Sequence, residues 1–161
     1  MITFVLAALQ SSVASSVRVG AASLDLALIV VVAWGQVRGY QEAIKWGLLA
    51  GLALDFLSVA PPGTYTLALS LSATIATSSM GLGIEGAPLQ VGAVAAATLL
   101  YRALALAILW LSGVTVIWDF GLAEEAVASA ALNGLLAPFV CWLLHGINRR
   151  IHSGLKQELE A

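Results

Sequence analysis

Residues 47–73, GLLAGLALDFLSVAPPGTYTLALSLSA, form an almost wholly apolar stretch that carries one carboxylate and one double-proline break. Asp55 lies inside the apolar run, and Pro61, Pro62 and Gly63 divide the run into two parts. Proline donates no backbone hydrogen bond, and glycine accepts turn conformations that are closed to other residues. The break therefore predicts two helices joined by a tight turn, with an inward-facing acid about two helical turns before it.

The composition of the chain is that of an integral membrane protein. Of its 161 residues, 60% are hydrophobic and 10% are charged, and its mean hydropathy is +0.96. A soluble domain carries about 25% charged residues, so this chain has too few charges to cover a water-facing surface. The net charge of −2 provides no positive potential for nucleic acid, and we expect no nucleic-acid partner.

Six apolar segments account for most of the chain. We predict a single all-α membrane domain over residues 1–161, a compact bundle of six transmembrane helices. A hydrocarbon core about 30 Å thick needs about 20 apolar residues per helix, and several segments are shorter, so some helices should be short, tilted or kinked. The predicted helices cover residues 2–17, 23–37, 42–60, 64–80, 88–111 and 124–147, followed by a tail at 148–161.

The distribution of Lys and Arg predicts the orientation. With a cytoplasmic N-terminus, Arg18 faces outward, Arg102 lies within a span, and the other basic residues fall on the cytoplasmic side: Arg38, Lys45, Arg149, Arg150 and Lys156. We predict that both termini are cytoplasmic and that the turns at 61–64 and 118–125 are outside. No Lys or Arg precedes the first segment, unlike a cleaved signal peptide, so we interpret that segment as a membrane helix.

Asp55 and Arg102 are the charges predicted to lie deepest in the membrane. Each lies about 13–14 residues from the cytoplasmic start of its predicted helix, or about 20 Å along the axis. A lone ion at a helix centre costs about 2.5–3.5 kcal/mol, so we predict that the two residues form an ion pair. Three roles stay open: a structural pair, a contact with a ligand or partner, and side chains that reach the interface.

The remaining candidate residues combine packing with polarity. The break at 61–63 either only separates two helices or forms part of a substrate-binding fold. The second alternative arises because backbone groups that are unpaired at membrane depth must be covered by protein or water. Asn133 is predicted to bond between helices, and the first segment carries small residues that can hold another helix closely: Ala7, Ala8, Ser11, Ser12, Ser15 and Ser16. No nucleophile–base set, phosphate loop or metal-ligand spacing occurs, so we expect no enzyme, cofactor or metal.

Three stretches resemble the rod-shape-determining MreD family. The stretch GLLAGLALDFLSVAPPGTYTLALSL is similar to the family's signature of a glycine-bearing helix, an aspartate, a short spacer, proline and glycine, and an apolar helix. LQSSV with LDLALIVVVAW resembles the opening helices, with Asp25 at the start of the second, and LNGLLAPFVCWLLHGINRR resembles the closing helix, with Asn133 and Pro138. The chain departs from the pattern at Ser23 and Leu24, where a proline is expected.

The resemblance implies a non-enzymatic subunit of the bacterial cell-elongation machinery in the cytoplasmic membrane. Members associate with MreC, a protein with one membrane helix and a periplasmic domain, and indirectly with MreB filaments, a SEDS glycosyltransferase and its transpeptidase. The family fold is expected to resemble the substrate-binding S-components of energy-coupling-factor transporters, so a vitamin-binding subunit is the alternative. Such a pocket needs polar and aromatic groups from outer loops, for which the candidates are Thr64, Tyr65, Trp118 and Asp119.

Overall fold

The computed structural model describes residues 18–19, 22–78, 86–115 and 119–159, and in these ranges the chain is almost entirely helical. A short antiparallel pair, β1 (Arg18–Val19) with β2 (Ala22–Ser23), precedes the helices. The described helices are α1 (Leu26–Arg38), α2 (Tyr40–Leu57), α3 (Thr64–Ser78), α4 (Ala87–Leu111) and α5 (Phe120–Leu159). The prediction of an all-α protein is confirmed for the described residues apart from this short pair.

The predicted segments from the second to the sixth each correspond to one of these helices. The first predicted segment, 2–17, lies outside the described residues, and with it Ala8 and Ser12. The last helix differs most from its prediction, because α5 begins at Phe120 and continues to Leu159. The predicted tail is thus helical as far as that residue.

Two of the described helices are long and apolar enough to cross a membrane, whereas six spans were predicted. These spans are Pro88–Leu111, with 24 residues, and Phe120–Arg149, with 30 residues. Among the others, α1 has 13 residues and α3 has 15, while α2 carries three charged side chains, Glu42, Lys45 and Asp55. Only 28% and 33% of the most apolar parts of the two long helices are buried inside the bundle, unlike the core helix of a soluble protein.

The central helix of the bundle is α1. It contacts each of the other four described helices, and its side chains Leu28, Ile29 and Val32 are fully buried. A single residue, Gly39, joins α1 to α2 with a φ of +97°. Glycine adopts this conformation without steric cost, so the chain can reverse there without a longer loop.

The hairpin of α2 and α3 is closely packed because glycine replaces side chains at the contact. A Cβ atom on Gly47 would lie 2.9 Å from the Cα atom of Ser70, and one on Gly51 would collide with the backbone of Thr66. Real Cβ atoms do not approach backbone atoms this closely, so both positions require glycine. Small residues at four-residue spacing, as at Gly47 and Gly51, are typical of helices that approach closely in membranes.

The bundle exposes many large apolar side chains and buries several polar ones beside its apolar core. Phe120 is 95% exposed and Leu135 is 73% exposed. Other large apolar side chains on the surface are Leu49, Phe56, Ile75, Leu111, Phe139 and Trp142. The buried polar and charged residues are Asp55, Thr64, Ser70, Ser72, Thr77, Thr98, Ser129 and Asn133. So many exposed large apolar side chains, together with buried polar groups, are unusual for a protein in water.

Candidate functional site

Asp55 lies in the last turn of α2 and is buried. The predicted helix extended to residue 60, but α2 ends at Leu57 and Ser58 has an extended backbone. The carboxylate is therefore near the end of its helix. From this position it reaches the beginning of the next helix.

The carboxylate of Asp55 caps the N-terminus of α3. Its Oδ1 accepts a hydrogen bond from the backbone N–H of Tyr65 at 2.8 Å, and its Oδ2 accepts from the N–H groups of Gly63 at 2.9 Å and Thr66 at 3.1 Å. The hydroxyl of Thr66 donates to the same Oδ2 at 2.5 Å. The first N–H groups of a helix have no partner within the helix, and Gly63, which precedes α3, has no side chain to cap them. Asp55 supplies the cap from the preceding helix, where a negative charge also favours the helix dipole.

The break at Pro61, Pro62 and Gly63 is a tight turn that holds this cap in place. The carbonyl of Pro61 accepts from the N–H of Thr64 at 3.2 Å and from its hydroxyl at 2.7 Å. Gly63 has a φ of +94°, and proline followed by a positive-φ glycine is typical of a type II turn. The break thus directs α3 back along α2.

The predicted ion pair between Asp55 and Arg102 is wrong. The carboxylate of Asp55 binds the N-terminus of α3, and Arg102 binds two other carboxylates. Its Nη2 lies 3.2 Å from Oδ2 of Asp25, and its Nη1 lies 3.2 Å from Oε1 of Glu125. Four backbone and hydroxyl donors can satisfy a carboxylate without a cation, so the depth of Asp55 did not require one.

Arg102 is the centre of a polar cluster that joins α4, α5 and the residues before α1. Its Nη2 also donates to the hydroxyl of Ser23. Ser23 in turn donates from its backbone N–H to the hydroxyl of Ser129 at 2.9 Å and from its own hydroxyl to Glu125 at 3.3 Å. These contacts link residues that are far apart in the sequence, so the cluster depends on the complete bundle.

Asn133 extends the cluster into the core, where it is fully buried. Its Oδ1 accepts from the backbone N–H of Asp25 at 3.2 Å. Its Nδ2 donates to Oδ2 of Asp25 at 3.4 Å and to the hydroxyl of Thr98 at 3.3 Å. The prediction that Asn133 forms hydrogen bonds between helices is confirmed, and Asp25 is its main partner.

The cluster contains one guanidinium and two carboxylates, so its formal charge is −1. The exposed fractions of the side chains are 20% for Arg102, 13% for Asp25 and 32% for Glu125. The Nε of Arg102 is buried without a hydrogen-bond partner among the described residues. Arg102 is therefore largely removed from water and neutralised, and it does not present free positive charge to an anion.

A groove of about 650 Å³ lies beside the cluster, between the second half of α4 and the first turns of α5. Arg102 lines it near the end that is away from the connecting loop, and Trp110 and Asp119 line it towards that loop. Its other described lining residues are apolar: Leu99, Ala103, Leu106, Ala107, Leu122, Ala123 and Ala126. The groove is thus apolar along its walls, with charge at a few points.

The pocket residues proposed for the vitamin-binding alternative do not converge. Thr64 is fully buried, and the ring of Tyr65 packs against that of Tyr101 with centroids 6.4 Å apart. Asp119 lines the groove, and Trp118 lies outside the described residues, as do Ala8 and Ser12. Of the three that the structure describes, only Asp119 lines the groove.

Sequence reasoning missed Glu125, Ser23 and Ser129 as partners within the cluster. A signal for Glu125 was present, because Arg102 lies in the second half of α4 and Glu125 lies near the start of α5. Since consecutive helices run in opposite directions across a bundle, these positions are at similar depth. The serines carried no comparable signal.

The site offers ion pairs, hydrogen bonds and an apolar groove. Among the described residues, no group of three or more His, Cys, Asp and Glu side chains could hold a metal ion. No family model matches the chain, and no curated protein or solved structure is significantly similar to it.

Proposed function

We propose that this protein is a multi-pass subunit of the bacterial cytoplasmic membrane that holds other membrane proteins of the cell-elongation and peptidoglycan-synthesis complex. Its direct partner in this proposal is an MreC-like protein with a single membrane helix. Through this partner it is linked to MreB filaments and to a SEDS glycosyltransferase with its transpeptidase. Its role is that of a scaffold without enzymatic activity.

The proposed location in a membrane rests on the distribution of side chains. Large apolar residues such as Phe120, Leu135 and Trp142 are exposed, whereas Ser, Thr, Asn and Asp side chains are buried and hydrogen-bonded. Exposed apolar surface of this extent is costly in water, but lipid solvates it. Buried polar groups bonded between helices are common in membrane bundles.

The observation that carries the proposal is the physical role of the stretch that resembles the MreD signature. Asp55, the break and the start of α3 form one unit, in which the carboxylate caps the helix that follows proline and glycine. An aspartate, a spacer, a Pro-Gly turn and an apolar helix are the elements that this cap requires. The resemblance therefore rests on residues that act together in the fold.

Co-purification from native membranes tests the proposal. The tagged full-length chain should retain an MreC-like single-span protein in mild detergent, and depletion of the chain should convert rod-shaped cells to rounded ones. A tagged multi-pass membrane protein of similar size, expressed at the same level, is the control. Recovery without any single-span partner, together with unchanged cell shape on depletion, contradicts the proposal.

The groove between α4 and α5 favours one alternative, a vitamin-binding subunit like the S-components of energy-coupling-factor transporters. Its volume of about 650 Å³ lies within the range of about 300–1,000 Å³ for small-molecule sites. A ligand that binds the native state raises the melting temperature. Thermal unfolding of the purified chain with each water-soluble vitamin tests this function, and a reproducible increase with one vitamin would favour it over the scaffold.

A further inference from the structure

We propose that the groove between α4 and α5 holds one transmembrane helix of a partner protein, and that this helix carries a Lys or Arg beside its outer end. The inference rests on the proposed function and adds the surface and the chemistry of recognition. The groove replaces the small residues of the first segment, including Ala8 and Ser12, as the candidate contact with the partner. Those residues lie outside the described ranges.

The shape of the groove follows from the packing of α4 and α5. The two helices approach closely in one region, where a Cβ atom on Gly134 would lie 3.1 Å from the carbonyl oxygen of Val91. Further along, between residues 99–110 and 119–126, they leave the groove open. Ala103, Ala107 and Ala123 are exposed there, so the groove opens at the surface of the bundle.

The walls of the groove suit a helix. Ala103 and Ala107 are one helical turn apart on α4, and Ala123 and Ala126 are nearly one turn apart on α5. In lipid, helices associate through close packing, and small side chains permit the backbones to approach. Trp110 lines the end of the groove and is 61% exposed, which leaves a large aromatic surface for a partner to cover.

The charges beside the groove select the chemistry of the occupant. Asp119, which is exposed, lines the groove near the start of α5. Arg102 in the groove is already neutralised by Asp25 and Glu125. An anionic lipid headgroup or an acidic ligand would therefore meet net negative charge, whereas a Lys or Arg at the end of an apolar helix would be attracted.

Photo-crosslinking in living cells tests the occupant directly. A benzophenone amino acid is placed at Ala107 or Ala123 in the full-length chain, and the control position is Leu135, an exposed residue that does not line the groove. The adducts from the groove positions should map to the single apolar helix of one membrane protein, with a Lys or Arg next to its outer end. Adducts to residues 2–17 of the same chain, to a second copy or to lipid alone overturn the inference.

Substitutions test the packing and the charge. Ala107→Leu should reduce recovery of the crosslinked partner about tenfold, which corresponds to about 1.4 kcal/mol of binding free energy. The matched control is Ala96→Leu, at an exposed alanine on α4 outside the groove, and it should leave recovery unchanged. Asp119→Lys should also weaken binding, because Asp119 is the acid that lines the groove, and an acid in place of the partner's base should restore it.

The outcomes separate this inference from the proposed function. If an MreC-like partner co-purifies but crosslinks only from other surfaces, and Ala107→Leu has no effect, the groove is not its binding site and the scaffold function stands. If no single-span partner is recovered, this inference is overturned, and if depletion also leaves cell shape unchanged, the scaffold function is overturned with it. If the Ala107→Leu variant fails to fold, the crosslinks from Ala123 still show whether the groove holds the partner helix.

Discussion

Arg102 and Asp25, which are 77 positions apart in the sequence, form an ion pair of 3.2 Å that fastens α4 to the beginning of α1. Glu125 binds the other side of the same guanidinium at 3.2 Å. The pair is largely shielded from water. In such a place a cation and its counter-ions depend on one another, because removal of one leaves the others uncompensated.

We therefore expect Arg102 and Asp25 to be energetically coupled. Breaking a buried pair costs about 3–5 kcal/mol, and residues in one network show coupling energies of about 0.5–3 kcal/mol. Arg102→Ala, Asp25→Ala and the double variant should be compared for the free energy of unfolding in detergent. The corresponding cycle of Arg102→Ala with Asp55→Ala is the control and should be additive. Additive losses for Arg102 and Asp25 would show that the pair contributes nothing specific.

Loss of the cap on α3 should be strongly destabilising. Asp55→Ala removes a helix cap worth about 0.5–2 kcal/mol and leaves buried N–H groups without a partner at about 1–3 kcal/mol, so we expect a total of about 2–4 kcal/mol. Asp55→Asn retains an acceptor oxygen and should cost less. Denaturant unfolding of both variants measures the difference. Equal losses would mean that the hydrogen bonds to Tyr65 and Thr66 are not the source of the effect.

Substitution of Gly51 should separate α2 from α3. A side chain there collides with the backbone of Thr66, and overpacking of this kind costs about 1–3 kcal/mol. The control is Gly92→Ala in α4, where an added Cβ meets no atom within 4 Å. Since alanine favours a helix over glycine by about 1 kcal/mol, the Gly92→Ala control should have unchanged or increased stability. A Gly51→Ala variant with an unchanged melting temperature contradicts the close packing.

Asn133 should be sensitive to an apolar replacement of similar size. Asn133→Leu leaves the backbone N–H of Asp25 without its acceptor, and a buried unsatisfied group costs about 1–3 kcal/mol. Leu135→Ala, two residues away on the exposed face of α5, should have little effect. Thermal unfolding of the two variants in the same detergent makes the comparison. Similar losses in both would show that the hydrogen bonds of Asn133 contribute nothing specific to stability.

The proposed topology is tested by labelling single cysteines in sealed cells, with Cys141 replaced by serine. Cysteines at Pro62 and Glu124, both exposed, should react with an impermeant reagent added outside. Cysteines at Gln41, also exposed, and at Ser153 should react only after the cells are permeabilised. Thr64 is unsuitable because it is fully buried. Labelling at Ser153 in sealed cells would overturn the cytoplasmic C-terminus.

The α2–α3 hairpin could be predicted from sequence because its signals are local. Pro61, Pro62 and Gly63 end one helix and begin the next by steric rules that depend on a few adjacent residues. The end of α2 was placed too late, and Asp55 was therefore expected further inside its helix than the last turn. A carboxylate thought to lie deep in a helix required a cation, whereas one in the last turn can reach the N–H groups of α3.

The partners of Arg102 could not be predicted in full because they depend on which helices are neighbours. Asp25 was noted only as a feature of the second segment, and Glu125 was not singled out. Nothing in the sequence states that α4 packs between the start of α1 and the start of α5. That arrangement follows from packing across the whole bundle, including the close approach of α4 and α5 at Gly134.

Asp55 and Asp25 also differ in when their partners become available during synthesis. Asp55 accepts hydrogen bonds from groups 8 to 11 residues downstream, so these bonds can form as soon as the α2–α3 hairpin has been synthesised. The partners of Asp25, Arg102 and Asn133, are synthesised much later, because they are 77 and 108 residues downstream. A chain that stops before α4 therefore keeps an uncompensated carboxylate at the end of its central helix. The uncompensated charge should destabilise such a truncated product, so we expect membrane proteases to degrade it faster than the full-length protein.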